Sequence, residues 1–268
     1  MVTGANPTNV YESSSEAPGN PMDAAGVAWH GTGRPLVYVP GIDGTGALFF
    51  AQLRRLEEFR VATYRLRDSA STMNELVDDL AEVVRKTSPA GAPVTLVAES
   101  FGGALAMSFA IAHRTAVSSL VVLNSFPKYH APWQLQVAMG GLRVLPWALT
   151  SRMRHFAARR HHSPSTPGLD AARALSLTRL STREGYLNRL RILSRYNLRD
   201  QLSLLSVPTL FLAADQDLLI PSVRQAHFMA SRVPDAQVRV LQGHGHACLL
   251  APEVSIGGLL REWHAMTA

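Results

Sequence analysis

The sequence predicts an α/β fold, a doubly wound and mostly parallel sheet interrupted once by a helical insert. Three observations predict it. Short runs rich in β-branched and apolar residues alternate with stretches of helical spacing. The alternation stops near residue 126 and resumes near residue 204. The 268 residues, 47% hydrophobic and 17% charged, suffice to bury one large core. That composition excludes a disordered chain or a coiled coil as the overall description. No apolar run approaches the roughly 20 residues of a membrane span. With no basic-then-apolar leader pattern either, a cytoplasmic protein is expected. A single cysteine, Cys248, rules out an internal disulfide and a multi-thiolate metal site, and it fits a reducing compartment.

Residues 1–26, with Pro7, Ser13, Pro18, Gly19 and Pro21, lack apolar periodicity and are expected to form a flexible N-terminal arm. Residues 27–125 and 204–268 carry the α/β pattern. In the first part the spacing predicts strands over 35–39, 61–66, 94–98 and 119–123, with helices over 47–58, 72–86 and 101–113. Strands separated by helices of that length imply parallel pairing through right-handed crossovers. In the second part strands are predicted over 209–213 and 237–241, and helices over 222–232 and 252–266. Residues 126–203 read as a helical cap. Apolar residues recur at helical spacing at Leu135, Met139, Leu142 and Leu145, and again at Leu187, Leu190 and Leu193, while Pro132, Pro146, Pro164 and Pro167 break the segment into pieces.

The net charge of +6 is unevenly spread. Residues 126–200 hold 13 of the 26 Lys and Arg against three acidic residues, Asp170, Glu184 and Asp200, a net charge of +10. The remainder, with 13 basic and 17 acidic groups, carries −4. An anionic membrane surface or an acyl-carrier protein is therefore expected to meet the cap, Arg152, Arg154, Arg159 and Arg160 standing beside Trp147, Met153 and Phe156. Nucleic acid is not expected, since no reading motif accompanies the arginines.

Chemistry concentrates at three strand ends. The strand over 94–98 runs into Glu99-Ser100-Phe101-Gly102-Gly103 and then a helix. A serine on such a sharp strand-to-helix turn needs small residues two positions either side, here Ala98 and Gly102, and exposes its hydroxyl at the mouth of the sheet. A nucleophilic serine needs an imidazole base, which in turn needs a carboxylate. Asp215 and Asp217 follow the strand over 209–213, and His244 and His246 follow the strand over 237–241. Spacing leaves both pairs open, because residues two apart in extended chain point the same way. The oxyanion of a tetrahedral intermediate needs fixed donors. The N–H of Phe101 follows the nucleophile, and the glycine-rich loop Pro40-Gly41-Ile42-Asp43-Gly44-Thr45-Gly46 offers the N–H of Ile42. That loop has neither G-x-G-x-x-G nor a Walker lysine, so phosphate binding is not its reading. His161 and His162, with His155, lack a carboxylate or thiolate companion and are read as a solvated basic stretch; no metal or other cofactor is expected. The candidate substrate pocket comprises Asp43 with Trp133, Met139, Leu142 and Trp147 of the cap.

Together Ala98-Glu99-Ser100-Phe101-Gly102-Gly103, Asp217-Leu218-Leu219-Ile220-Pro221 and Gly245-His246-Ala247 resemble the α/β-hydrolase superfamily over residues 30–266. In that superfamily the acid commonly stands four residues before a proline, which selects Asp217. The histidine commonly follows a glycine and precedes a stretch ending in Pro-Glu, here Pro252-Glu253, which selects His246. The loop from Pro40 to Gly46 resembles the phytyl ester synthase and diacylglycerol acyltransferase-like branch of esterases, lipases and thioesterases. The resemblance implies a cofactor-independent serine hydrolase acting on small-molecule esters with an apolar part, or acyl transfer to an alcohol or thioester cleavage with the same triad. A binding module that keeps the fold without catalysis is the alternative of another class. A serine at position 100 excludes the dehalogenase and epoxide hydrolase branches, whose nucleophile is a carboxylate.

Overall fold

The computed structural model describes residues 26–150 and 161–267. Its seven strands are β1 (Val27–His30), β2 (Arg34–Val39), β3 (Phe59–Tyr64), β4 (Val94–Glu99), β5 (Val117–Leu123), β6 (Thr209–Ala214) and β7 (Ala236–Leu241). They form one sheet in the order β1-β3-β2-β4-β5-β6-β7. Every pairing is parallel except that of β1 with β3. The helices are α1 (Phe50–Leu53), α2 (Met73–Thr87), α3 (Phe101–Ala112), α4 (Pro132–Val144), α5 (Gly168–Leu177), α6 (Arg183–Arg195), α7 (Ser222–Ala230) and α8 (Ile256–Thr267). Among the described residues no helix is long and apolar enough to cross a membrane. The predicted arm falls almost wholly outside the described residues, as do His155 and Arg152, Met153, Arg154, Phe156, Arg159 and Arg160.

The period of two along each strand divides the core into two layers. On β2, Val37 and Val39 join the layer that holds α2, α3 and parts of α4 and α6, while Leu36 and Tyr38 join Phe49, Leu260 and Trp263 on the opposite face. Helix α3 lies between the sheet and other helices and is apolar nearly all round, which is the pattern of a helix with no solvent face. Helix α2 starts at a capping box, Thr72 accepting from the Glu75 amide and the Glu75 side chain accepting from the Thr72 amide.

Four elements depart most from the sequence prediction. Strand β1 was not foreseen: it has four residues and pairs on one side only, and only Val27 is fully buried, so no alternation marks it. The helix predicted over 47–58 shrinks to a 3-10 turn at Ala47–Phe49 and the single turn of α1. There Gln52 is buried, donating to the carbonyls of Leu249 and Val254 and accepting from the Ile256 amide at 2.6, 2.9 and 3.0 Å. Four-residue turns, closed by the amides of Arg55, Leu56 and Phe59 donating to the carbonyls of Gln52, Leu53 and Leu56, then drop the chain into β3, which begins two residues earlier than predicted. Helix α8 starts at Ile256 instead of 252, because Cys248–Leu250 and the turn after it take up the preceding residues.

Candidate active site

Ser100 closes β4 and precedes α3 with φ 54° and ψ −119°, a conformation costing a non-glycine residue on the order of 1–3 kcal/mol. Its neighbours hold it there. The Ser100 amide donates to the Leu123 carbonyl at 2.9 Å, and the Ser100 carbonyl accepts from the Gly103 amide at 3.0 Å and the Ser125 hydroxyl at 2.7 Å. A Cβ on Gly102 would collide with the carbonyl oxygens of Val39 and Pro40, so only glycine fits. Ala98, fully buried, pairs with Val39 on one side and Val122 on the other. Phe101 opens α3, and its amide is one of the first-turn donors that lack an acceptor within the helix.

The loops after β6 and β7 bring Asp217 and His246 together. His246 Nδ1 lies 2.7 Å from Asp217 Oδ2, with the carboxylate side chain 1% exposed and the imidazole 14%. Asp217 Oδ1 accepts from the amides of Leu219 and Ile220 at 2.9 and 3.0 Å, and Oδ2 also accepts from the Ser222 hydroxyl at 2.5 Å. Burial pushes the Asp217 carboxyl upward. The hydrogen bond and charge of His246, with the Ser222 and Ile220 donors, outweigh it and hold the group below the usual carboxylate range. Asp215 instead caps the next loop, its Oδ1 accepting from the Gly243 amide at 2.7 Å, and His244 Nδ1 pairs with the Ser163 hydroxyl at 3.0 Å. Asn124, which sequence reasoning missed, ties these loops to the sheet. Its Nδ2 donates to the His246 carbonyl and its Oδ1 accepts from the Ala214 amide, both at 2.8 Å, from a left-handed backbone (φ 46°) that asparagine tolerates.

Ser100 and His246 line a cavity of about 290 Å³ together with Ile42 and Asp43. Gly41 to Gly44 form a tight turn closed by the Gly44 amide donating to the Gly41 carbonyl at 3.0 Å, and Asp43 Oδ1 accepts from the amide and hydroxyl of Thr45. The cavity's walls are mostly apolar, with Leu48, Leu175, Leu219 and Leu250 among them.

Four pocket residues expected from sequence are elsewhere. Met139 and Leu142 are buried in the cluster that contains Leu190 and Leu193, because α4 packs on α6 and spends its inward face there. Trp133 points outward, 65% exposed, and Trp147 packs partly buried against the same cluster. The segment between β5 and β6 reaches the cavity instead through residues such as Ala174, Leu175, Thr178 and Tyr186. The histidine pair also needs correction. His161 and His162 line the cavity, each partly buried, where the Ala247 amide donates to the His161 carbonyl at 2.8 Å and His162 bridges to Ala247. The His161 ring stands edge-on to His246, centroids 6.3 Å apart, and burial followed by the His246 charge lowers its pKa and favours the neutral imidazole. Among the described residues no group of three or more His, Cys, Asp or Glu could hold a metal.

Glu99, adjacent to Ser100, also faces the cavity and was overlooked as a motif spacer. Its Oε1 accepts from the Tyr38 hydroxyl at 2.6 Å. Burial raises its pKa from 4.5 to about 7; the Tyr38 bond opposes that rise, the Asp43 charge adds to it and His246 opposes it. The folded protein thus retains a proton that the unfolded chain releases near pH 4.5. Stability contributed by this group is complete below that pH and is lost as pH rises toward 7 and beyond, at most about 3 kcal/mol for a carboxyl partly open to a cavity. Glu99→Gln keeps an acceptor for Tyr38 and cannot ionise. Urea unfolding at pH 5 and pH 8 should show a smaller loss for the variant than for the parent, and equal losses would show that Glu99 ionisation is not responsible.

The profile of the family described as serine aminopeptidase, S33, matches residues 64–253, a span that includes Ser100, Asp217 and His246. The protein named "Putative carbamate hydrolase RutD" from Escherichia coli O157:H7 (strain EC4115 / EHEC) is 26% identical over 240 residues, 84% of this chain and 89% of its own. Among solved structures, a thermophilic esterase from Thermogutta terrifontis superposes with a TM-score of 0.75 at 24% identity, covering 90% of this chain and 92% of the esterase. A hydrolase from Pseudomonas aeruginosa PA01 superposes with a TM-score of 0.75 at 18% identity, covering 89% and 94%. The fold these neighbours share with the chain is that of the α/β-hydrolases.

Proposed function

From a chain that belongs to the serine aminopeptidase S33 family, a hydrolase family, we propose a serine hydrolase that cleaves carboxylic esters with an apolar acyl or alkyl part through an acyl-enzyme. The observation that carries this reading is the 2.7 Å bond between His246 and Asp217 in the cavity that a strained Ser100 also lines, the three residues following the C-terminal ends of β4, β6 and β7 in one sheet. Ser100 Oγ attacks the acyl carbon while His246 takes its proton, and the carbonyl pair moves onto oxygen, held by the amides of Ile42 and Phe101. Collapse expels the alcohol, which takes the proton from His246. Water then repeats the sequence on the acyl-enzyme, and Asp217 orients the imidazole throughout.

The mostly apolar walls suit an acyl chain, and the loop from Pro40 to Gly46 supports the fatty-acyl branch that it resembles. Acyl transfer to an alcohol and thioester cleavage use the same residues and differ in how well water is excluded. We read residues 126–203 as the cap over this cavity, in a cytoplasmic protein that meets anionic lipid surfaces. Exposed Trp133, Val137 and Val144 on α4, beside the segment's basic charge, support that contact. A chain-length series of p-nitrophenyl esters, with acyl thioesters and a carbamate in parallel and with and without added alcohol, tests the reading. Ester turnover rising with acyl length is expected, and activity confined to the carbamate or to none of them would overturn it. Run with neutral and anionic vesicles over a salt series, the same assay should show stimulation by anionic lipid that salt abolishes.

A further inference from the structure

We infer that Arg189, on α6, is a positioning residue for the oxyanion donor: its buried guanidinium locks the turn from Gly41 to Gly44 and thereby aims the Ile42 amide. The inference rests on the serine-hydrolase reading above and adds a residue that lies outside the triad and its donors.

Arg189 is among the largest fully buried side chains, 2% exposed, and burying a guanidinium demands close partners. Its shortest bond goes to no counter-ion. Nε donates to the Ile42 carbonyl at 2.8 Å and Nη2 to the Asp43 carbonyl at 3.2 Å, while Nη1 reaches Asp68 Oδ1 at 3.2 Å. That carboxylate is shared with Arg65, whose Nη2 is 2.8 Å from Oδ2. Desolvation lowers the Arg189 pKa more than Asp68 and Asp43 raise it, so the charge is held at a cost. Room has been cleared for it. A Cβ on Gly44, whose φ is +69°, would overlap the guanidinium, and one on Gly185 would overlap the Asp68 carboxylate.

The consequence is mechanical. Three peptide planes lie between Gly41 and Gly44. The first carries the Ile42 amide and is fixed by its Gly41 carbonyl, which accepts from the Gly44 amide at 3.0 Å. Arg189 Nε fixes the second through the Ile42 carbonyl. Arg189 Nη2 fixes the third through the Asp43 carbonyl, assisted by the Ser181 hydroxyl at 3.0 Å. Turning the Ile42 amide away from an oxyanion would require cranking the neighbouring planes against those bonds. A planar fork with donors in three directions does this, and a lysine ammonium cannot hold the same geometry.

The test compares Arg189→Lys, Arg189→Met and Ser181→Ala with the parent, with active sites counted by fluorophosphonate end-point labelling and folding checked by circular dichroism. Two quantities are read: kcat and KM on p-nitrophenyl butyrate, and the affinity of phenylboronic acid, whose adduct on a serine carries negative charge near the oxyanion position. Both Arg189 variants should lose about 10- to 100-fold in kcat with KM within about threefold, and boronate affinity should fall by a matching factor. Ser181→Ala should show the same paired loss at about two- to fivefold. A residue that only anchors α6 would lower the melting temperature and leave kcat per labelled site and boronate affinity unchanged, which overturns the inference. Should the Arg189 variants not fold, Ser181→Ala and Asp68→Asn decide by the same paired readout, and parental values in both overturn it. If fluorophosphonate labels the parent and not Ser100→Ala while the Arg189 variants match the parent, this inference alone fails. If the parent is neither labelled nor active, the serine-hydrolase reading fails and takes this one with it.

Discussion

Ser100→Ala is expected to reduce kcat on activated esters by about 10⁴-fold or more, because the covalent route disappears with the hydroxyl. The fold should persist. The bonds that hold this turn run through the Ser100 backbone, from its amide to Leu123 and to its carbonyl from Gly103 and Ser125, so alanine inherits all of them. Melting temperature should stay within a few degrees of the parent's, and fluorophosphonate should label the parent at Ser100 and leave the variant untouched. Residual activity within about tenfold of the parent would remove Ser100 as the nucleophile and with it the acyl-enzyme.

Asp217→Asn should cost about 10⁴-fold in kcat, for a reason visible in the hydrogen bonds. Asp217 Oδ1 accepts from two backbone amides, at Leu219 and Ile220, so an asparagine must place its carbonyl oxygen there. Its NH₂ then faces His246 Nδ1, where Oδ2 stands now. A donor facing Nδ1 forces the tautomer that carries its proton on Nε2, and that nitrogen can no longer take the proton of Ser100. Asp215→Asn is the control. Its amide oxygen can still accept from the Gly243 amide, so activity should remain within about threefold. The reverse ranking, measured under the same saturating conditions, would move the acid to Asp215.

Both expectations depend on distinctions of different origin. The serine, its small neighbours Ala98 and Gly102, and the acid and base loops were legible because each is a local pattern tied to a strand end, and strand ends follow from the alternation of apolar runs with helical spacing. Composition and the order of elements likewise led to a doubly wound, mostly parallel sheet, which is the fold observed. The helix predicted over 47–58 failed at Gln52, whose three bonds reach residues 197, 202 and 204 positions away. No window of sequence contains such a partner.

The sequence alone determined where chemistry can occur: Ser100, two aspartates and two histidines, each at the end of a strand, and a glycine loop able to present amides. The resemblance selected Asp217 and His246 among them, and the tertiary structure shows that these two meet and what surrounds them. Asp215 and Asp217 are equivalent by spacing, and they part because one amide at Gly243 and one imidazole at His246 lie in different directions. Helical period showed that α4 has an apolar face but not what that face covers, so Met139 and Leu142 went to α6 and the cavity took other walls. Arg189 is one of 24 arginines by sequence. What sets it apart is a meeting of α6 with a turn 147 residues earlier in the chain, because burial and the partners of a charge are properties of contacts between distant segments.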